Sequence, residues 1–101
     1  MLDNVLKING KDYVIKFTIG SHIKMNKEGL NFESLQRLDI EMTRDLLYYG
    51  LEKFHKLNRE QVTDLMDDFM DNGGTFEELF TVIVDAYSKS LGMKMGNKEG
   101  K

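Results

Sequence analysis
Four carboxylates, Glu60, Asp64, Asp67 and Asp71, recur at helical spacing. Acids grouped on one face can transfer protons, hold a hard cation or offer a negative surface to a basic partner. The cation reading fails on spacing. The segment DDFMDNGGTFEE (67–78) invites comparison with a calcium loop, which needs oxygen ligands at positions 1, 3 and 5, glycine at 6 and glutamate at 12. With Gly73 at position 6, Met70 falls at 3 and Leu79 at 12; with Glu78 at position 12, Phe69 falls at 3 and Asn72 at 6. His22 and His55 stand far apart, with no Glu-x-x-His or His-x-x-x-His spacing to suggest a metal. Ser21, Ser34, Ser88 and Ser90 lie in no nucleophile-elbow context, and the absence of cysteine removes thiolate nucleophiles and thiolate metal sites. General acid–base chemistry has very little support. No enzyme, cofactor or metal is expected. The stripe reads as a solvated face or as a docking surface for a basic segment.

The charge distribution sharpens the second reading. From Glu60 to Asp85 there are eight acids and no Lys or Arg, whereas the other residues carry 14 bases and 9 acids. An acidic half repels nucleic acid phosphates and suits a basic protein partner. No apolar run of about 18 residues occurs, so neither a membrane span nor a signal peptide is expected.

The stripe must be positioned by helices. Asn58 with Gln61 forms a capping pattern, and Val62, Leu65, Met66, Phe69 and Met70 then recur at i, i+3, i+4, i+7 and i+8, predicting an amphipathic helix over 59–71. After Asn72-Gly73-Gly74, Thr75 and Glu78 form a second capping box for a helix over 76–91, with Gly92 as its stop. At 100° per residue its polar positions, Glu77, Glu78, Thr81, Asp85, Ser88 and Lys89, fall on an arc of about 120°, and its apolar ones on roughly 200°. A surface helix needs an apolar stripe of about 100°. This helix is therefore either the centre of the domain or keeps part of its face for a partner, with Phe76, Phe80 and Tyr87 as candidate contacts and a homo-oligomer as one outcome.

Upstream, Asp39 is the expected cap of a long helix over 39–56, with Ile40, Thr43, Leu47, Leu51 and Phe54 on its inner face, Leu46 and Gly50 beside them, and Tyr48-Tyr49 as one core and one edge aromatic. Gly50 there implies either close approach of a neighbouring helix or a kink. Residues 5–19 read as a β-hairpin turning at Asn9-Gly10, because a type I′ turn needs positive φ at both central residues. Leu6, Ile8, Tyr13, Ile15, Phe17 and Ile19 share its inner face; Val5 and Val14 fall among the polar residues opposite. Ser21 is the expected cap of a short helix carrying Ile23 and Met25 and ending at Gly29, and Asn31 or Ser34 of a further turn over 30–38. The tail 93–101 has no periodicity and is expected to be disordered. The whole reads as one α+β domain over 1–92, an N-terminal β-hairpin followed by a small bundle of three to four helices.

That order of elements, with Ile8-Asn9-Gly10-Lys11-Asp12-Tyr13 running into Ile15-Lys16-Phe17, resembles the tail assembly chaperones of long-tailed (siphophage-type) bacteriophages. Members of that family often open with a similar strand, Asn-Gly-Lys turn and aromatic second strand. The resemblance implies a non-catalytic protein of the bacterial host cytoplasm that binds the tape-measure protein, recruits tail-tube subunits and is absent from the mature virion. The alternative is a small acidic helical regulator or adaptor, such as an anti-repressor that mimics DNA.

Overall fold
The computed structural model describes residues 4–31, 33 and 39–92. Strands β1 (Asn4–Ile8) and β2 (Lys11–Ile15) pair antiparallel, with Leu6 opposite Tyr13 and Ile8 opposite Lys11. Asn9 and Gly10 between them take φ of 54° and 79°, the left-handed pair that a type I′ turn demands. Leu6, Ile8, Ile15 and Phe17 are buried beneath the sheet and Tyr13 half-buried, while Val5 and Lys7 face outward.

The hairpin is shorter than the expected 5–19. The Thr18 side chain accepts a 3.0 Å hydrogen bond from the Ser21 amide, and the Ser21 hydroxyl accepts one of 3.2 Å from the Thr18 amide. This capping box starts helix α1 (Ile19–Lys27), so the cap is Thr18 and not Ser21. Ile19, expected on the inner face of the hairpin, instead opens α1 and is 64% exposed. Of the two apolar residues expected to anchor α1, Met25 enters the core and Ile23 stays outside. Asn31 Oδ1 accepts the Glu33 amide at 2.9 Å. Ser34, the rest of the turn expected over 34–38 and the tail 93–101 lie outside the described residues.

Helix α2 (Ile40–Leu51) starts where Asp39 Oδ1 accepts the Met42 amide at 3.2 Å. It ends five residues earlier than expected, because the chain turns at Glu52 to bring His55 against β2. Thr43, Leu46, Leu47 and Leu51 are buried as the periodicity requires. Ile40, in the first turn, is 69% exposed and Phe54, past the helix end, is also exposed, so neither belongs to the inner face. Gly50 is explained by close approach, but of the hairpin rather than of a helix: a Cβ there would lie 2.8 Å from Ile15 Cγ2 and 3.0 Å from Phe17 Cζ. The Gly50 carbonyl accepts the Lys16 amide at 2.7 Å at the same point.

Helices α3 (Arg59–Asp71) and α4 (Phe76–Ser90) begin at the two capping boxes anticipated, Asn58 with Gln61 and Thr75 with Glu78. The centre of the fold is α2, which packs against α1, α3, α4 and β2, whereas α4 packs on α2 and β1. Leu46, Leu47, Val62, Leu79 and Ile83 fill the space between the three long helices and are fully buried or nearly so. Ser88 departs from the helical wheel: placed among the polar positions, it is fully buried and its Oγ has no hydrogen-bond partner among the described residues. The result is an α+β fold, a two-stranded hairpin followed by four helices and packed on α2, α3 and α4.

Candidate functional site
Regular α3 geometry carries Glu60, Asp64, Asp67 and Asp71 outward in one row, and all four are exposed. Among the described residues none of the four forms an ion pair or a side-chain hydrogen bond. Of the other four acids of this half, Glu78, Asp68 and Asp85 are committed, whereas Glu77 in the first turn of α4 is exposed and has no side-chain partner among the described residues. Glu78 closes the α4 cap by accepting the Thr75 amide at 2.8 Å. Asp68 accepts from Asn9 Nδ2 at 3.1 Å and holds the hairpin turn to α3. Asp85 accepts from Asn4 Nδ2 at 2.8 Å and pairs with Lys89 at 3.0 Å. The Asn4 hydrogen bond, with Lys89 behind it, holds the Asp85 carboxyl below the usual carboxylate range. Among the described residues of this half, the unpaired acids are therefore the four of the α3 row and Glu77 at the start of α4.

Asp67 also lies on the lip of a groove of about 420 Å³ between α2 and α3, lined by Ile40, Glu41, Arg44, Thr63, Met66 and Asp67. Exposed Ile40 and buried Met66 make its apolar part. Acidic lip and apolar floor together suit a ligand that is apolar on one side and basic on the other. Of the three aromatic candidates on α4, Phe76 and Phe80 are half-buried against the core, and Phe80 lines a second groove of about 400 Å³ with Asn4, Thr81, Val82, Val84 and Asp85. Tyr87 is not available to a partner: it is 3% exposed, stacked edge-on against His22 and Phe17. Neither groove lining unites the acidic row with the α4 aromatics.

Three polar centres escaped sequence reasoning. Arg59, one residue before the acidic segment, joins α1, α2 and α3: its Nη2 donates to Glu28 Oε1 at 2.9 Å, its Nε donates to Asp45 Oδ1 at 3.2 Å, and its guanidinium lies 4.6 Å from the Tyr48 ring centre. The Tyr49 hydroxyl donates to Glu28 as well, and this bond, with Arg59, lowers the Glu28 carboxyl pKa. Burial alone disfavours the Arg59 charge, but hydrogen bonds to Glu28 and Tyr49 outweigh it and push the pKa up. Arg59 is thus spent inside the fold and does not neutralise the acidic row.

His55 Nε2 accepts the Val14 amide at 3.0 Å, which places its single neutral-state proton on Nδ1. The Ser90 hydroxyl donates to the Tyr87 carbonyl at 2.5 Å, so the 2.7 Å contact between His22 Nε2 and Ser90 Oγ has the histidine as donor. Burial lowers the pKa of both histidines, and nearby Lys11 lowers that of His55 further. Both are structural. Only their sequence separation from Val14 and Ser90 hid them.

No helix among the described residues is long and apolar enough to cross a membrane. A family model described as a domain of unknown function, DUF5055, matches residues 1–100, and the chain belongs to that family. Neither the curated proteins nor the solved structures give a significant match.

Proposed function
We propose that this DUF5055 protein is a tail assembly chaperone of a long-tailed bacteriophage, working by binding and without catalysis. In this reading it acts in the cytoplasm of the bacterial host, holds a basic segment of the tape-measure protein on the α3 face, helps recruit tail-tube subunits, and leaves before the virion is complete. The observation that carries the reading is the exposed, unpaired row Glu60, Asp64, Asp67 and Asp71 beside the Ile40–Met66 groove. A row of solvated carboxylates supplies many weak, reversible contacts rather than one tight one, as a protein that must release its client requires. The order of hairpin and helices, with the Ile8–Tyr13 motif, supports the family assignment by resemblance.

The test is co-expression with the tape-measure and tail-tube proteins encoded near its gene. The expected result is a soluble complex with the tape-measure protein, and purified virions that lack this chain. A tape-measure protein that neither binds nor gains solubility, or a gene lying instead beside an operator-linked repressor whose protein it captures, overturns the reading.

A further inference from the structure
The two histidines join elements of the fold through opposite chemistry. His22 Nε2 donates to Ser90 Oγ at 2.7 Å, because that hydroxyl gives its own proton to the Tyr87 carbonyl at 2.5 Å. A second proton on His22 goes to Nδ1 and leaves this bond in place. His55 is the reverse case. Its Nε2 lies 3.0 Å from the Val14 amide, and a backbone N–H can only donate. The bond therefore exists only while Nε2 keeps its lone pair. Protonation puts a hydrogen where the Val14 hydrogen already points, and an attraction becomes a repulsion.

The bond joins two parts of the chain that little else ties together. Ile8 with Lys11, Leu6 with Tyr13 and Asn4 with Ile15 are the bonded pairs of the hairpin, so the Val14 amide points away from β1. His55 reaches it from the stretch 52–58 between α2 and α3. That stretch has a fixed point at each end. Upstream, the Gly50 carbonyl takes the Lys16 amide at 2.7 Å; downstream, Asn58 and Gln61 close the α3 cap. Between them, Glu52 pairs with Lys24 of α1 at 3.1 Å, and the His55 amide returns to the Leu51 carbonyl at 2.8 Å. Among the described residues, only the His55 ring hydrogen-bonds this stretch to the hairpin.

The charges around His55 do not hold a proton on it. From β2, Tyr13 stacks on the ring at 5.2 Å, and Lys11 lies 5.3 Å from the centre of the same Tyr13 ring. Burial and then Lys11 lower the His55 pKa. Lys53 and Lys56 flank it in sequence. The acids nearest in sequence to these groups are engaged elsewhere, Asp12 beside Lys7 at 3.9 Å and Glu52 with Lys24. No carboxylate pairs with His55 among the described residues.

We propose that His55 is a proton-operated latch: one proton on Nε2 releases the stretch 52–58 from β2, while the Gly50–Lys16 bond and the His22–Ser90 contact stay closed. The opening is local, with Gly50 and Asn58 as its ends, and exposes the Val14 amide to solvent. The released ring titrates near the ordinary 6.5 and the latched ring below it, so the latch is closed above about pH 6.5 and weakens as the pH falls below that value. The acidic row on α3 takes no part, so this proposal stands or falls independently of the proposed function.

Amide hydrogen exchange followed by NMR on the full chain, corrected for intrinsic exchange, tests the latch residue by residue. Between pH 7 and pH 5 the protection of the Val14 amide is expected to fall roughly tenfold or more, while that of the Lys16 amide changes less than about twofold because its acceptor does not titrate. Ring nitrogen spectra of His55 should show a proton on Nδ1 alone at pH 7 and on both nitrogens as Val14 opens. His55→Gln offers an amide oxygen as acceptor that takes no proton in this range, so its Val14 protection should not depend on pH. Should that variant fail to fold, the wild-type comparison of Val14 with Lys16 decides alone. Val14 protection that stays constant while His55 titrates overturns the proposal. So does a loss shared equally by Val14 and Lys16, or one that persists unchanged in His55→Gln.

Discussion
Replacing Gly50 by alanine sets two effects against each other at the junction of α2 and the hairpin. Inside a helix alanine is favoured over glycine by about 1 kcal/mol. Here the new Cβ would sit 2.8 Å from Ile15 Cγ2, 3.0 Å from Phe17 Cζ and 3.3 Å from Phe17 Cε2. Both neighbours are core residues, 2% and 3% exposed, so neither can swing into solvent to make room. Forcing a methyl into such a site costs typically 1–3 kcal/mol. Pushing the hairpin away also stretches the 2.7 Å bond from the Lys16 amide to the Gly50 carbonyl, worth about 0.5–1.5 kcal/mol. The overpacking and the hydrogen bond outweigh the propensity gain, leaving a net loss of about 1–2 kcal/mol, or roughly 4–15 °C in Tm for a domain of this size. Gly20→Ala is the control, since its Cβ would meet only Thr18 Oγ1 at an ordinary 3.6 Å; it should gain up to about 1 kcal/mol. Thermal and urea denaturation followed by circular dichroism measures both. If Gly50→Ala is as stable as the wild type or more so, the close approach of β2 to α2 is not what selects glycine.

Other perturbations follow from the polar centres. Both histidines have folded-state pKa values below the usual 6.5, so the unfolded chain binds more protons in the window beneath that value; stability should be full above about pH 6.5 and fall with acidification, and His55→Gln should flatten part of that slope in urea titrations at pH 5 and 7. Ser88→Ala should stabilise by about 1 kcal/mol or more, because it deletes a buried hydroxyl that lacks a partner among the described residues; a lower Tm would mean that the Oγ is satisfied. Arg59→Met should cost about 1–2 kcal/mol through its half-exposed ion pairs and the Tyr48 contact, and a double-mutant cycle with Glu28→Gln should show coupling.

What the sequence made legible is what acts over a few residues. Asn9-Gly10 announces its turn because two positive φ values are needed side by side, and the Asn58/Gln61 and Thr75/Glu78 caps join atoms three residues apart. The same local logic misjudged α1, where Thr18 and Ser21 both carry a hydroxyl at cap spacing and only the path of the chain leaving β2 decides between them. Helical periodicity found most of the α2 face but not its ends, since Ile40 and Phe54 lie where a helix no longer has neighbours on every side. It also assigned Ser88 to solvent and Tyr87 to a partner, because a wheel ranks residues by polarity and does not show which elements cover each arc. Arg59 was invisible for a different reason. Its partners Asp45 and Glu28 lie 14 and 31 residues away, and no spacing rule links them. The acidic row, by contrast, survives intact from sequence to structure, because it depends only on α3 being a regular helix.

That row carries the central claim, and charge tests it most directly. Glu60→Gln, Asp64→Asn, Asp67→Asn and Asp71→Asn combined preserve shape and helical phase while removing four charges. Exposed pairs contribute about 0.2–1 kcal/mol each and are screened beyond about 8 Å at physiological salt. The affinity of the fourfold variant for the tape-measure protein, measured by titration calorimetry from low to high salt beside the wild type, should be between roughly fourfold and several hundredfold weaker at low salt. The two curves should converge as salt rises. A variant that stays folded and binds as tightly as the wild type at every ionic strength would contradict the account.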